Sequence, residues 1–130
     1  MNSRTERKLT TILCADVAGY SRLMNKNEGE TLDRLKATRE IFSNFIAQYG
    51  GRIVNMTGDG LVCDFTSVVN AVQCAVEVQN KINEDNVSLS PADQMLYRIG
   101  INLGDVLIEG DDIFGEGVNV AARLESMAPV

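Results

Sequence analysis

The sequence contains no histidine, and its three cysteines, Cys14, Cys63 and Cys74, include no CxxC pair. These absences exclude the common zinc sites, Ser-His-Asp triads and Cys-His dyads, because each of them needs histidine or paired cysteines. Each cysteine lies within an apolar stretch, so we expect three buried free thiols. Any catalysis must therefore use carboxylates, asparagine, arginine and metal ions.

A surplus of basic residues is also lacking, since the chain carries a net charge of −6. Binding to nucleic acid or to an anionic membrane surface needs a basic face, so we expect neither partner. An anionic substrate would need metal ions to neutralise its charge. No apolar run approaches the roughly 20 residues that span a bilayer, and the first residues, MNSRTERK, show no cleavage signature. We therefore expect a cytoplasmic protein.

The length of 130 residues, 45% of them hydrophobic, is sufficient for one compact domain. The apolar, β-branched segment 9–17 predicts a buried strand with Asp16 near its end. Apolar residues at helical spacing predict a long helix over about 28–49, which the following glycine pair ends. The motif TGDG lies between two apolar runs and predicts a β-hairpin with Asp59 at its tip.

A second helix is expected after an N-cap at Thr66 or Ser67. Its apolar face is expected to contain Val68, Val72, Ala75, Val78 and Ile82. The segment 96–110 predicts two strands with a break near Gly104, and a final helix is expected to begin near Gly117.

The resulting order of elements is β, α, β, β, α, β, β, α. This order predicts an α+β fold of the ferredoxin-like kind, in which a βαββαβ core forms a mostly antiparallel sheet with helices on one face. A domain of this pattern normally returns to the sheet after its last helix. We therefore expect residues 1–130 to be a single domain that is incomplete at its C-terminal end, with the last strands missing.

Asp16 and Asp59 are the first candidates for chemistry. In a ferredoxin-like sheet the first strand lies beside the central hairpin, so these two carboxylates could converge. Two carboxylates together with phosphate oxygens form a common Mg²⁺ site. The VAGY segment after Asp16 permits a tight turn whose backbone N–H groups could hold phosphate. The alternative is that Asp16 caps a helix and Asp59 only forms a turn, and the residues alone leave both interpretations open.

Asn119 and Arg123 are the second pair of candidates. They are four residues apart, so on a helix they share one face, where an amide and a guanidinium could both reach a phosphate or a ribose. The alternative is a solvated helix face that extends from Arg123 to Glu125. Asn119 lies within an apolar VNVAA run, and a half-buried amide needs hydrogen-bond partners.

Four blocks in order, ADVAGYSRL, GGRIVNMTGDGLVCDF, RIGINLGDV and DDIFGEGVNVAARLE, resemble the catalytic domain of class III adenylate and guanylate cyclases. The resemblance implies two divalent metal ions, Mg²⁺ or Mn²⁺, bound by Asp16 and Asp59. It implies that the backbone of Val17, Ala18, Gly19 and Tyr20 lines the substrate phosphates. It also implies that Asn119 orients the ribose and that Arg123 stabilises the transition state.

The same resemblance implies a homodimer in which the metal site of one subunit faces the Asn and Arg of the other. The expected activity is the conversion of ATP to 3′,5′-cyclic AMP and pyrophosphate, with GTP as the alternative substrate. Asp112 matches a base-recognising polar residue, but Asn55 stands where adenylate-specific members have lysine. The lysine that grips the triphosphate would lie after Val130, as would further C-terminal domains. Because of Asn55, the alternative function is a non-catalytic module for nucleotide binding or dimerisation.

Overall fold

The computed structural model describes residues 6–130, which form an antiparallel five-stranded sheet and four α-helices. The strands are β1 (Glu6–Val17), β2 (Gly51–Thr57), β3 (Gly60–Phe65), β4 (Tyr97–Glu109) and β5 (Asp112–Phe114). The helices are α1 (Tyr20–Lys26), α2 (Glu28–Gln48), α3 (Val68–Asn86) and α4 (Glu116–Met127), and a 3-10 turn spans Pro91–Asp93. The strand order is β2-β3-β1-β4-β5. Without β5 this is the ferredoxin-like order, so the predicted fold class is confirmed.

From Thr10 to Ala15 the central strand β1 is buried on both faces, and its successive side chains point to opposite sides of the sheet. Leu13 and Ala15 pack with α1, α2 and α3 in the larger core. Ile12 and Cys14 pack with Ala121 of α4 in a smaller core on the other face. The helices α1 to α3 therefore lie on one face, as the fold class predicts, and α4 covers the second.

The predicted break near Gly104 is wrong, because β4 continues from Tyr97 to Glu109 and turns into β5 only after it. Gly104 instead permits α4 to approach the sheet. A Cβ atom at Gly104 would lie 3.2 Å from the Cα of Gly117, and one at Gly117 would lie 2.4 Å from the carbonyl oxygen of Asp105. A glycine inside a strand pattern can mark such a close backbone approach as well as a turn.

The predicted N-cap of α3 is confirmed, since the Ser67 side chain accepts a hydrogen bond from the Asn70 N–H. The predicted apolar face was partly wrong. Val68 and Val72 are 41% and 45% exposed, whereas Ala71 and Cys74 are buried. The predicted Val78 and Ile82 are buried, so the predicted face is confirmed toward the end of the helix, whereas near its start the core contacts the smaller Ala71 and Cys74.

All three cysteines are buried free thiols, as predicted. Burial raises the pKa of Cys14 and of Cys74 to about 11, and it raises the pKa of Cys63 further. These groups therefore remain protonated thiols at neutral pH. Within residues 6–130, the helices are all too short or too polar to span a bilayer.

Candidate active site

Asp16 and Asp59 line the same cavity, which has a volume of about 250 Å³. Asp59 lies in the tight turn between β2 and β3, and its Oδ2 atom accepts a hydrogen bond from the Val17 N–H at 3.0 Å. The strand β2 ends at Thr57 and β3 begins at Gly60, so the two turn residues are Gly58 and Asp59. Of these two, Gly58 has the positive φ, at 56°. The structure thus brings the two predicted carboxylates together.

The Asp16 carboxylate is poorly satisfied by the protein itself. Its Oδ1 atom is fully buried and has no hydrogen-bond partner among residues 6–130. Burial raises the pKa of Asp16 above its ordinary value, and the nearby Asp59 carboxylate adds to this rise. A buried carboxylate oxygen that receives no hydrogen bond from an N–H or O–H group is suited to ligating a cation. Two oxygen-bearing carboxylates in an open cavity match what Mg²⁺ or Mn²⁺ needs, so these residues fit the implied metal ions.

Glu125 is a third carboxylate in this cavity, and the sequence analysis missed it. It lies on α4 and is only 9% exposed. Burial raises the pKa of Glu125 to about 7, and its interactions with Asp16 act in the same direction. The spacing of Gly117, Ala121 and Glu125, each four residues after the last, was the available signal, because it continues the buried side of the helix. The sequence analysis considered Glu125 only within the alternative interpretation, a solvated face that extends from Arg123 to Glu125.

The close approach of α4 to β4 explains why Glu125 reaches the cavity. A Cβ atom at Gly100 would lie 2.3 Å from the Glu125 backbone nitrogen and 2.6 Å from the Ala121 carbonyl oxygen. The absence of a side chain at Gly100 therefore lets the helix backbone contact the strand directly.

Arg98 is a second residue that the sequence analysis missed. It pairs with Asp16 across the β1–β4 ladder. Its positive charge opposes the rise in the pKa of both Asp16 and Glu125. A guanidinium beside these carboxylates is also suited to binding phosphate oxygens.

A β-bulge in β2 directs Asn55 toward the cavity. Ile53 pairs with Cys63, but Asn55 pairs with Val62, so one extra residue lies between them. After this bulge, Asn55 and Thr57 line the cavity that also contains Asp16. Bulges often redirect a side chain next to a functional site.

The segment after Asp16 forms a turn that leads into α1. The Val17 N–H donates to Asp59, and the Ala18 N–H donates to the Leu96 carbonyl at 2.8 Å. Gly19 has a φ of 69° and precedes the first residue of α1, Tyr20. Internal hydrogen bonds therefore occupy the first two of the four predicted phosphate-lining N–H groups, and the role of this segment stays a prediction.

Asn119, Arg123 and Asp112 lie outside the cavity. Asn119 is exposed, and the Arg123 side chain is 64% exposed and forms an ion pair of 2.8 Å with Glu116. Asp112 lies in β5, where its Oδ1 atom accepts a hydrogen bond from the Ile113 N–H. The structure thus brings together Asp16, Asp59 and Asn55 but places the other three candidate side chains elsewhere on the surface.

The fold and the cavity define a class of protein: a ferredoxin-like domain with an acidic cavity lined by β1, the β2–β3 hairpin and α4. Comparison with known families narrows this class. The family model for the adenylate and guanylate cyclase catalytic domain matches residues 3–129. The chain belongs to this family, which confirms the resemblance of the four sequence blocks.

Individual relatives agree with this assignment. A curated protein of Rhizobium meliloti (strain 1021) is 43% identical over 123 residues, which are 94% of this chain and 21% of that protein. The adenylate cyclase of Streptomyces coelicolor is 32% identical over 116 residues, covering 88% of this chain and 29% of that protein. The chain therefore spans less than a third of either relative.

The fold is shared with solved structures. The adenylate/guanylate cyclase/hydrolase from Silicibacter pomeroyi has a TM-score of 0.90 and 46% identity, and the match covers 97% of this chain and 74% of that one. The crystal structure of a guanylyl cyclase matches with a TM-score of 0.82 and 27% identity, covering 99% of this chain and 74% of that one. Similarity thus extends to proteins named for either purine base.

Proposed function

We propose that this chain is the catalytic domain of a purine nucleotide cyclase, which converts ATP to 3′,5′-cyclic AMP and pyrophosphate with two divalent metal ions in a homodimer. The observation that carries the proposal is the cavity in which the buried, unpartnered Oδ1 atom of Asp16 lies close to Asp59. The family assignment supplies the reaction type. Since ATP is the substrate, the proposal also places the domain in the cytoplasm.

Asp16 and Asp59 would hold the cations. Bound Mg²⁺ or Mn²⁺ supplies Lewis-acid chemistry, which lowers the pKa of the ribose 3′-hydroxyl and neutralises charge on the triphosphate. The Val17 N–H keeps the Asp59 carboxylate oriented toward the end of β1. Arg98 adds positive charge near Asp16 and Glu125, and its guanidinium could bind phosphate oxygens of the substrate.

Asn119 and Arg123 would act across a dimer interface. Both are exposed, and neither lines the cavity of its own chain. We expect them to contact nucleotide bound in the cavity of a second copy of the chain. The Arg123 guanidinium would then leave Glu116 and stabilise the negative charge that develops on the α-phosphoryl group. A monomer should be inactive.

Asn55 is compatible with recognition of either adenine or guanine, because an amide can both donate and accept hydrogen bonds. Loss of a buried hydrogen bond to the base costs about 1–3 kcal/mol, so Asn55 in place of lysine would weaken base selection more than it weakens catalysis. The same substitution favours the second candidate function, a regulatory module that binds nucleotide without turnover.

The proposal is tested by measuring cyclic nucleotide formation from ATP and from GTP with Mn²⁺, using the natural polypeptide that contains these residues. The parent should form cyclic AMP, and D59N should lose at least about a hundredfold in rate if Asp59 binds a catalytic ion. D85N is the matched control, because Asp85 is exposed on α3 and paired only with Lys81. A folded, dimeric parent that binds Mn²⁺-ATP without forming product would favour the regulatory module.

A further inference from the structure

Glu125 is a buried acid without a cationic partner in the described part of the chain. It is 9% exposed, its Oε2 atom is fully buried, and that atom has no hydrogen-bond partner among residues 6–130. No ion pair joins it to Arg98 or to any other cation of the described residues within 4.0 Å. Acidic residues are almost never fully buried unless they are paired. The Asp16 carboxyl is the polar group in contact with Glu125, so these two acids need either a shared proton or a cation between them.

Asp16, which contacts Glu125, shows the same feature. The Oδ1 atom of Asp16 is also fully buried and unpartnered, and both side chains line the cavity that contains Asp59. Two carboxylates from different elements therefore lie against each other at the same space, and these two oxygens receive no N–H or O–H donor from the rest of the described residues. A cation in that space would satisfy both of them.

The spacing of the acidic side chains limits how Glu125 can take part in binding a cation. No three acidic or thiol side chains within residues 6–130 lie close enough together to ligate one ion directly. Mg²⁺ dehydrates reluctantly and usually retains several water molecules when one or two carboxylates bind it. A carboxylate just outside direct contact can therefore accept hydrogen bonds from that water.

We propose that Glu125 is a third carboxylate of the divalent-cation pocket, holding through its hydration shell the ion that Asp16 binds directly. This inference rests on the proposed metal site and adds a residue to it. Glu125 is a positioning residue in this scheme because it acts through water and not on the nucleotide. Its place two residues after Arg123 puts it on the other side of α4.

The test is Mn²⁺ binding by the metal-free protein, measured from the electron paramagnetic resonance signal of free Mn²⁺. E125Q keeps the shape of the side chain and removes its charge, and its dissociation constant for Mn²⁺ should rise about tenfold. E125D keeps the charge and should bind within about threefold of the parent. D16N removes the direct ligand and should abolish the tight site. E84Q removes an equal charge from the exposed part of α3 and should bind as the parent does.

The outcomes separate this inference from the function on which it rests. If D16N loses Mn²⁺ and E125Q binds it as tightly as the parent, Glu125 is only a buried structural residue and the inference is wrong. If D16N and the parent bind equally, or if neither binds, the metal site itself is wrong and both proposals fail. Circular dichroism of each variant reports folding, and an E125Q protein that is folded but weak in Mn²⁺ supports the inference.

Discussion

Alanine at Gly100 should damage the cavity without changing any side chain that lines it. The new Cβ atom would lie 2.3 Å from the Glu125 nitrogen, 2.6 Å from the Ala121 oxygen and 2.7 Å from the Glu125 Cα atom. All three are backbone atoms of α4, so no side-chain rotation relieves the contacts. The helix must move away from β4. Overpacking of this kind costs typically about 1–3 kcal/mol, and α4 carries Glu125 out of the cavity as it moves.

Urea unfolding measures the first effect, and Mn²⁺ binding measures the second. G100A should lose about 1–3 kcal/mol in free energy of unfolding and bind Mn²⁺ more weakly than the parent. G29A is the matched control, because a Cβ atom there would meet only the Asn27 Oδ1 atom at 3.9 Å. Gly29 lies within α2, so alanine should stabilise the protein by about 0.4–1 kcal/mol. A G100A protein as stable as the parent would refute the close contact between α4 and β4.

Three further predictions concern protonation, thiol reactivity and base choice. The raised pKa of Glu125, about 7 against an ordinary 4.5, means that the folded state without metal binds more protons than the unfolded state between these values. The metal-free protein should therefore lose stability as pH rises from 4.5 to 7, and urea unfolding of E125Q in EDTA should show less of this loss. Cys14, Cys63 and Cys74 are buried thiols, so iodoacetamide should label them only after unfolding, as mass spectrometry would show. N55K should raise kcat/KM for ATP about tenfold relative to GTP if Asn55 contacts the base, and an unchanged ratio of the two rates would contradict that contact.

Local sequence signals were sufficient for the fold and for the two aspartates. Asp59 lies in a glycine-rich turn between apolar runs, and Asp16 lies near the end of an apolar strand. Both signals depend only on neighbouring residues, and the ferredoxin-like order then places the two elements side by side. The Asp16 and Asp59 cavity therefore followed from the sequence, although the exact turn residues did not.

Glycines in β4 that permit close contact with the α4 backbone were harder to predict from the sequence. Gly104 suggested a break in β4, but its neighbour is the α4 backbone at Gly117. The same packing at Gly100 brings Glu125 beside Asp16, although they are distant in sequence. An isolated glycine in a strand does not reveal whether a turn or another backbone requires it.

The two sides of α4 make a final prediction that combines both proposals. In a symmetric homodimer, Asn119 and Arg123 would complete the partner's cavity, whereas Glu125 belongs to the cavity of its own chain. A mixture of D59A and R123A subunits should therefore regain about a quarter of the parent activity, since about half of the dimers are mixed and each has one intact site.

In the mixed dimer, Glu125 should affect activity only in the R123A subunit, whose cavity is intact. E125Q added to the D59A subunit changes a cavity that is already inactive, so the regained activity should stay the same. E125Q added to the R123A subunit changes the remaining intact cavity and should raise its Mn²⁺ requirement about tenfold. Equal effects from both positions would show that Glu125 does not act within the cavity of its own chain. No regained activity in any mixture, despite mixed dimers, would show that α4 does not complete the site of its partner.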